Sequence, residues 1–130
     1  MHKVFYCDNG GPLAVEFQAA FHKVMNSLQC QGFAYSGLDA RARNSSLHRE
    51  ITDDFYGADH IVSVFIKEPA DSWVVPEIRT PWPRKGKIFA FAARSMSESE
   101  CADAAVSDVV FVIGPGQFEN ELTRRLKTTL

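Results

Sequence analysis

The chain has 130 residues, of which 45% are hydrophobic and 23% charged, with a formal net charge of −2. That length holds one domain with a real core, so residues 1–130 read as a single unit. The charge gives no electrostatic case for nucleic acid or an anionic membrane, although local basic clusters could still bind phosphates. No apolar run approaches the roughly 20 residues of a membrane span. The N-terminus leads straight into a strand-like segment, without a secretory pattern. Cys7, Cys30 and Cys101 are odd in number and lack metal-ligand spacing, which suits a reducing cytoplasm better than a disulfide framework.

In chain order, the first apolar run is Val4–Cys7, ending in Asp8-Asn9-Gly10-Gly11-Pro12. Leu13, Phe17, Phe21, Val24, Met25 and Leu28 then fall at helical spacing, and Gly32 is expected to close that helix. A short strand follows around Phe33–Tyr35. The polar stretch Ser36–Ser46, with Gly37, Asp39, Arg41, Arg43 and Asn44, reads as a long loop. Ser45 or Ser46 can cap a second helix that turns Leu47, Ile51, Phe55 and Ala58 inward. His60–Ile66 is the strongest strand signal. After it comes a short helical segment, Ala70–Ile78, cut off by Pro81 and Pro83. Lys87–Phe91 gives a fourth strand, and Ser97-Glu98-Ser99-Glu100 has capping-box spacing. Asp108–Ile113 gives a fifth strand, and Gly114-Pro115-Gly116 reads as a turn. A last helix carries Phe118, Leu122 and Leu126, with Glu119 and Glu121 early and Arg124, Arg125 and Lys127 late, in agreement with its dipole.

Continuous apolar runs alternating with helical patterns predict an α/β fold with a five-stranded parallel, flavodoxin-like sheet, order 2-1-3-4-5, and helices on both faces. In that order the ligand crevice lies between strands 1 and 3. The segments Asp8–Pro12 and Lys67–Ser72 would converge there. Trp73 and Glu77, four residues apart, would share one helix face. An indole beside a carboxylate suits one chemistry: the ring stacks on a flat leaving group while the carboxylate stabilises an oxocarbenium-like sugar. Asp8, Asn9 and Gly10-Gly11 could receive phosphates or ribose through backbone amides at a helix start. The chain carries neither G-x-G-x-x-G nor a P-loop, against a hydride-transfer or triphosphate enzyme. His2, His22, His48 and His60 share no metal-like spacing, so no metal is expected.

Taken in order, these pieces resemble a TIR domain over nearly the whole length. Lys3-Val4-Phe5-Tyr6-Cys7 resembles the family's first strand, where a serine often stands at the Cys7 position. Ser36–Ser46 occupies the place of its long loop, and Ile51, Phe55, Ala58 and Asp59 keep the spacing of its second helix. Trp73-Val74-Val75-Pro76-Glu77 resembles the tryptophan-to-glutamate motif of bacterial members, with Asp71 where a serine is usual. The resemblance implies cleavage of NAD+ between nicotinamide and ribose, with NAD+ as substrate and no further cofactor. ADP-ribose or a cyclic signalling form would result, within bacterial defence. It further implies Glu77 as the catalytic residue and Trp73 against the base. Cys7, Asp8, Asn9, Gly10, Ser36 and Asp39 would help hold the dinucleotide. A homo-oligomer or partner-activated assembly would complete the site.

Two other readings use the same residues. Asp71-Ser72 followed by Glu77, with Tyr6 near the first strand's end, is similar to the aspartate-to-glutamate spacing of nucleoside 2-deoxyribosyltransferases. The glycines expected between the acids are replaced by Trp73 and Val74. A non-catalytic interaction module would instead use Ser36–Ser46 and the Pro81-Trp82-Pro83 edge as contact surface.

Overall fold

Strands β1 (Lys3–Asp8), β2 (Gln31–Tyr35), β3 (His60–Phe65), β4 (Ile88–Ala93) and β5 (Val109–Val112) form one parallel sheet in the order β2-β1-β3-β4-β5. The computed structural model describes residues 2–37, 48–67, 88–93 and 109–130, with the backbone alone at 48 and 49. Its helices are α1 (Ala14–Leu28), α2 (His48–Gly57) and α3 (Pro115–Thr129). The flavodoxin-like order is therefore the one the alternation of apolar runs and helical patterns predicts.

The central strands are apolar on both sides because helices cover both faces. Val4, Tyr6, Val62, Val64, Phe91 and Val112 pack beneath α1 and α3 against Phe17, Phe21, Phe118 and Leu122. Phe5, Cys7 and Ile61 pack beneath α2 against Ile51, Phe55 and Ala58. Each buried phenyl contributes on the order of 2 kcal/mol by leaving water. Phe118 ties the first layer together, meeting Phe17 at 5.4 Å and the edge of Phe91 at 5.0 Å between ring centroids. No helix among the described residues is long and apolar enough to cross a membrane.

Two boundary expectations are corrected. Helix α1 ends at Leu28, and Gln29, not Gly32, closes it in a left-handed conformation at φ 56°. The amides of Gln29 and Cys30 donate to the Asn26 and Met25 carbonyls, a Schellman closure. Gly32 lies inside β2 instead, where a side chain would collide with Phe21 and Met25. At the other end of the chain, Gly114-Pro115-Gly116 is not a separate turn. Pro115 is the first residue of α3, where its missing N–H costs nothing, and the Ile113 amide donates to Gln117 Oε1 at 2.6 Å. The described strands extend one or two residues past, or stop short of, the expected limits, as strand ends commonly do. Ser45, Ser46, Leu47, the Ala70–Ile78 segment and the Ser97–Glu100 capping box lie outside the described residues.

Candidate functional site

The connection after β1 leads toward one edge of the sheet and the connection after β3 toward the other, so the carboxyl ends of these two strands are the switch point at which sheets of this order form their ligand crevice. Asp8 closes β1 at that point and is fully buried. A buried carboxylate is tolerated only when donors surround it. Here Oδ1 accepts from the Gly10 amide at 2.9 Å, the Ser36 hydroxyl at 2.8 Å and the Gly37 amide at 3.0 Å. Oδ2 accepts from the Tyr6 hydroxyl at 2.7 Å. Asp8 thus fastens the loop after β1 to the loop after β2. Burial first, and the Asp8 carboxylate second, push the Tyr6 phenol well above the usual tyrosine range. The ring is held by stacking on Phe21 at 4.9 Å.

Asn9 makes the matching link to β3. Its Oδ1 accepts from the amides of Ile66 at 2.8 Å and Lys67 at 3.3 Å, and its Nδ2 donates to the Lys67 carbonyl at 2.7 Å. Three glycines in the left-handed region let the loops meet: Gly10 at φ 87°, Gly11 at φ 113° and Gly37 at φ 72°. A Cβ on Gly10 would lie 3.3 Å from the Gly37 Cα and 3.6 Å from Lys67 Nζ. A Cβ on Gly11 would touch the Lys67 stem at 3.5 Å. Lys67 therefore crosses the first loop with its stem against bare backbone.

Among the residues singled out from sequence, Asp8, Asn9, Gly10 and Ser36 come together at this junction. The side chains of Asp8 and Asn9, and the Gly10 amide, are engaged in holding the loops. Cys7 lies one layer below, fully buried on the α2 side, its sulfur 3.9 Å from Ser63 Oγ. Asp39, Trp73 and Glu77 lie outside the described residues. Sequence reasoning did not single out Lys67. The available signal was its position, a cation directly after an apolar strand whose carboxyl end borders the crevice.

Beside the crevice, the Tyr35 hydroxyl donates to Asp54 Oδ2, linking β2 to α2. Burial, then that bond and the Asp54 charge, push the Tyr35 phenol upward. Among the described residues no group of three or more His, Cys, Asp or Glu is placed to hold a metal. The arrangement is a braced rim: two loops pinned by one carboxylate, a third strand pinned by one amide, and a lysine lying across them. Comparison with known proteins finds no matching family model, no matching curated protein and no matching solved structure.

Proposed function

We propose that the chain is a TIR-like NAD+ nucleosidase that cleaves the bond between nicotinamide and ribose. The observation that supports this most is the braced junction at the carboxyl ends of β1 and β3. Asn9 clamps Lys67, and the connection carrying Trp73 and Glu77 leaves β3 from that residue. A dinucleotide needs such a fixed rim on one side and a reactive carboxylate on the other. Nicotinamide departs as a neutral amide from a cationic pyridinium, so no general acid is required. In this reading Glu77 stabilises the positive charge growing on the anomeric carbon, an effect of about a hundredfold or more in rate. Trp73 stacks on the departing ring. Water, or the adenine of the same molecule, then takes the ribosyl carbon and gives ADP-ribose or a cyclic product. Asp8, Asn9, Gly10 and Ser36 shape the rim, Cys7 fills the layer below, and Asp39 would help hold the dinucleotide.

Three cysteines without the spacing of a disulfide framework agree with action in the cytoplasm. Self-association or a partner would supply the trigger, in keeping with a role in bacterial defence signalling. The test incubates purified protein over a range of concentrations with NAD+ and, separately, with deoxynucleosides, beside Glu77→Gln. Nicotinamide release that rises with protein concentration and is lost in the variant is the expected result. Base release from deoxynucleosides alone would move the assignment to a deoxyribosyltransferase. Silence on both, with folded protein at high concentration, would favour an interaction module or an enzyme that lacks its activating partner.

A further inference from the structure

We infer that Lys67 is the diphosphate-binding residue of this crevice, so that the site takes nucleotides with a diphosphate and discriminates against nucleosides. The inference deepens the reading above and rests on it for the identity of the full substrate. The argument begins with what the loops have already used. Asp8 faces inward with donors on both oxygens, and the Gly10 amide points to it. Those four donors are therefore not offered to an anion at the rim.

Lys67 is built for that place. Asn9 holds its backbone from both sides, through the amide and the carbonyl. Gly10 and Gly11 leave open the path its stem follows, and the ammonium ends beside Gly10. The residue is exposed, and among the described residues it forms no ion pair. Other described basic side chains lie elsewhere: Lys3 and His60 begin their strands, and Lys127 is in the last turn of α3. A lysine ammonium acts as a point charge toward phosphate and tolerates several oxygen geometries. Such a charge at the mouth of the crevice attracts the diphosphate bridge common to dinucleotides and nucleoside diphosphates.

The experiment measures binding of ADP, inorganic pyrophosphate and adenosine by calorimetry at two salt concentrations. It uses the wild type, Lys67→Met, Lys67→Gln and Lys67→Arg, each checked for an unchanged thermal midpoint. ADP has no nicotinamide bond, so the outcome is independent of catalysis. Expected is binding of ADP and pyrophosphate that weakens about tenfold in Lys67→Met and Lys67→Gln, is largely kept in Lys67→Arg, and loses salt sensitivity with the charge. Adenosine binding should not change. Equal affinities in wild type and Lys67→Met, equal losses for ADP and adenosine, or no diphosphate binding by the wild type would each overturn the inference. If ADP binds through Lys67 while NAD+ stays intact, the proposed reaction fails and the diphosphate site stands. If NAD+ is cleaved with an unchanged KM in Lys67→Met, the reverse holds.

Discussion

Replacing Asp8 by alanine tests whether the crevice rim is held by one carboxylate. Four donors lose their acceptor: the Tyr6 hydroxyl, the Gly10 amide, the Ser36 hydroxyl and the Gly37 amide. Ser36 and Gly37 are exposed and regain water cheaply, whereas Tyr6 and Gly10 are buried. An unsatisfied buried donor costs about 1 to 3 kcal/mol. Relief from no longer burying a charge offsets part of the sum, leaving a net loss of about 3 kcal/mol from a domain stability of about 5 to 15 kcal/mol. For a chain of this size that lowers Tm by roughly 10 to 15 °C. Asp8→Asn keeps an acceptor for the loop donors and should lose less. The assay is urea and thermal denaturation of Asp8→Ala, Tyr6→Phe and the double variant. The double variant no longer strands the tyrosine hydroxyl, so its loss should fall short of the sum by about 1 to 2 kcal/mol. A cost for Asp8→Ala below about 1 kcal/mol, or strict additivity, would refute the bracing role.

Three further outcomes follow from the packing and the tyrosines. Gly32→Ala puts a Cβ 2.8 Å from both Phe21 and Met25; the overpacking should cost about 1 to 3 kcal/mol in denaturant unfolding, and a neutral result would mean that α1 moves freely off β2. Gln29→Gly removes a side chain from a left-handed backbone site at φ 56° and should stabilise by about 0.5 to 1 kcal/mol, read as a higher urea midpoint. Tyr6 and Tyr35 have phenols raised in the folded state. Their contribution is full below the unfolded value of about 10 and is lost as pH rises beyond it. Stability should therefore fall above pH ~10, less steeply in Tyr6→Phe, and phenolate absorbance should lag until unfolding. Ionisation of both groups in the native state near pH 10 would contradict the burial argument.

The sheet was legible because its signals are local or statistical. Val4–Cys7 and His60–Ile66 are apolar on both faces, and the 2-1-3-4-5 order is the common solution for five alternating strands. Gly32 misled because a glycine four residues past a helical pattern reads as a cap, while its actual reason is the approach of Phe21 and Met25 from α1. Gln29 carries no local sign of left-handed backbone. Asp8 was visible as a polar residue at a strand end, but its donors come from Gly10, Ser36 and Gly37, loops that meet only once β1 and β2 pair. Lys67 was missed for the same reason: its importance depends on Asn9 and Gly11, far away in the chain.

The division of labour at the crevice gives the proposed reaction a distinctive genetic signature. Asp8 and Asn9 hold loops to one another, so their loss should reduce stability and nucleotide affinity together. Lys67 has an exposed ammonium and a backbone held independently by Asn9, so its replacement should weaken binding with stability intact. Glu77→Gln should remove turnover and leave both stability and ADP binding in place. These are three separable phenotypes, and a non-catalytic module would lack the third. Measuring stability, ADP affinity and nicotinamide release on variants of these four residues therefore distinguishes bracing, binding and chemistry, because each quantity responds to a different physical contact.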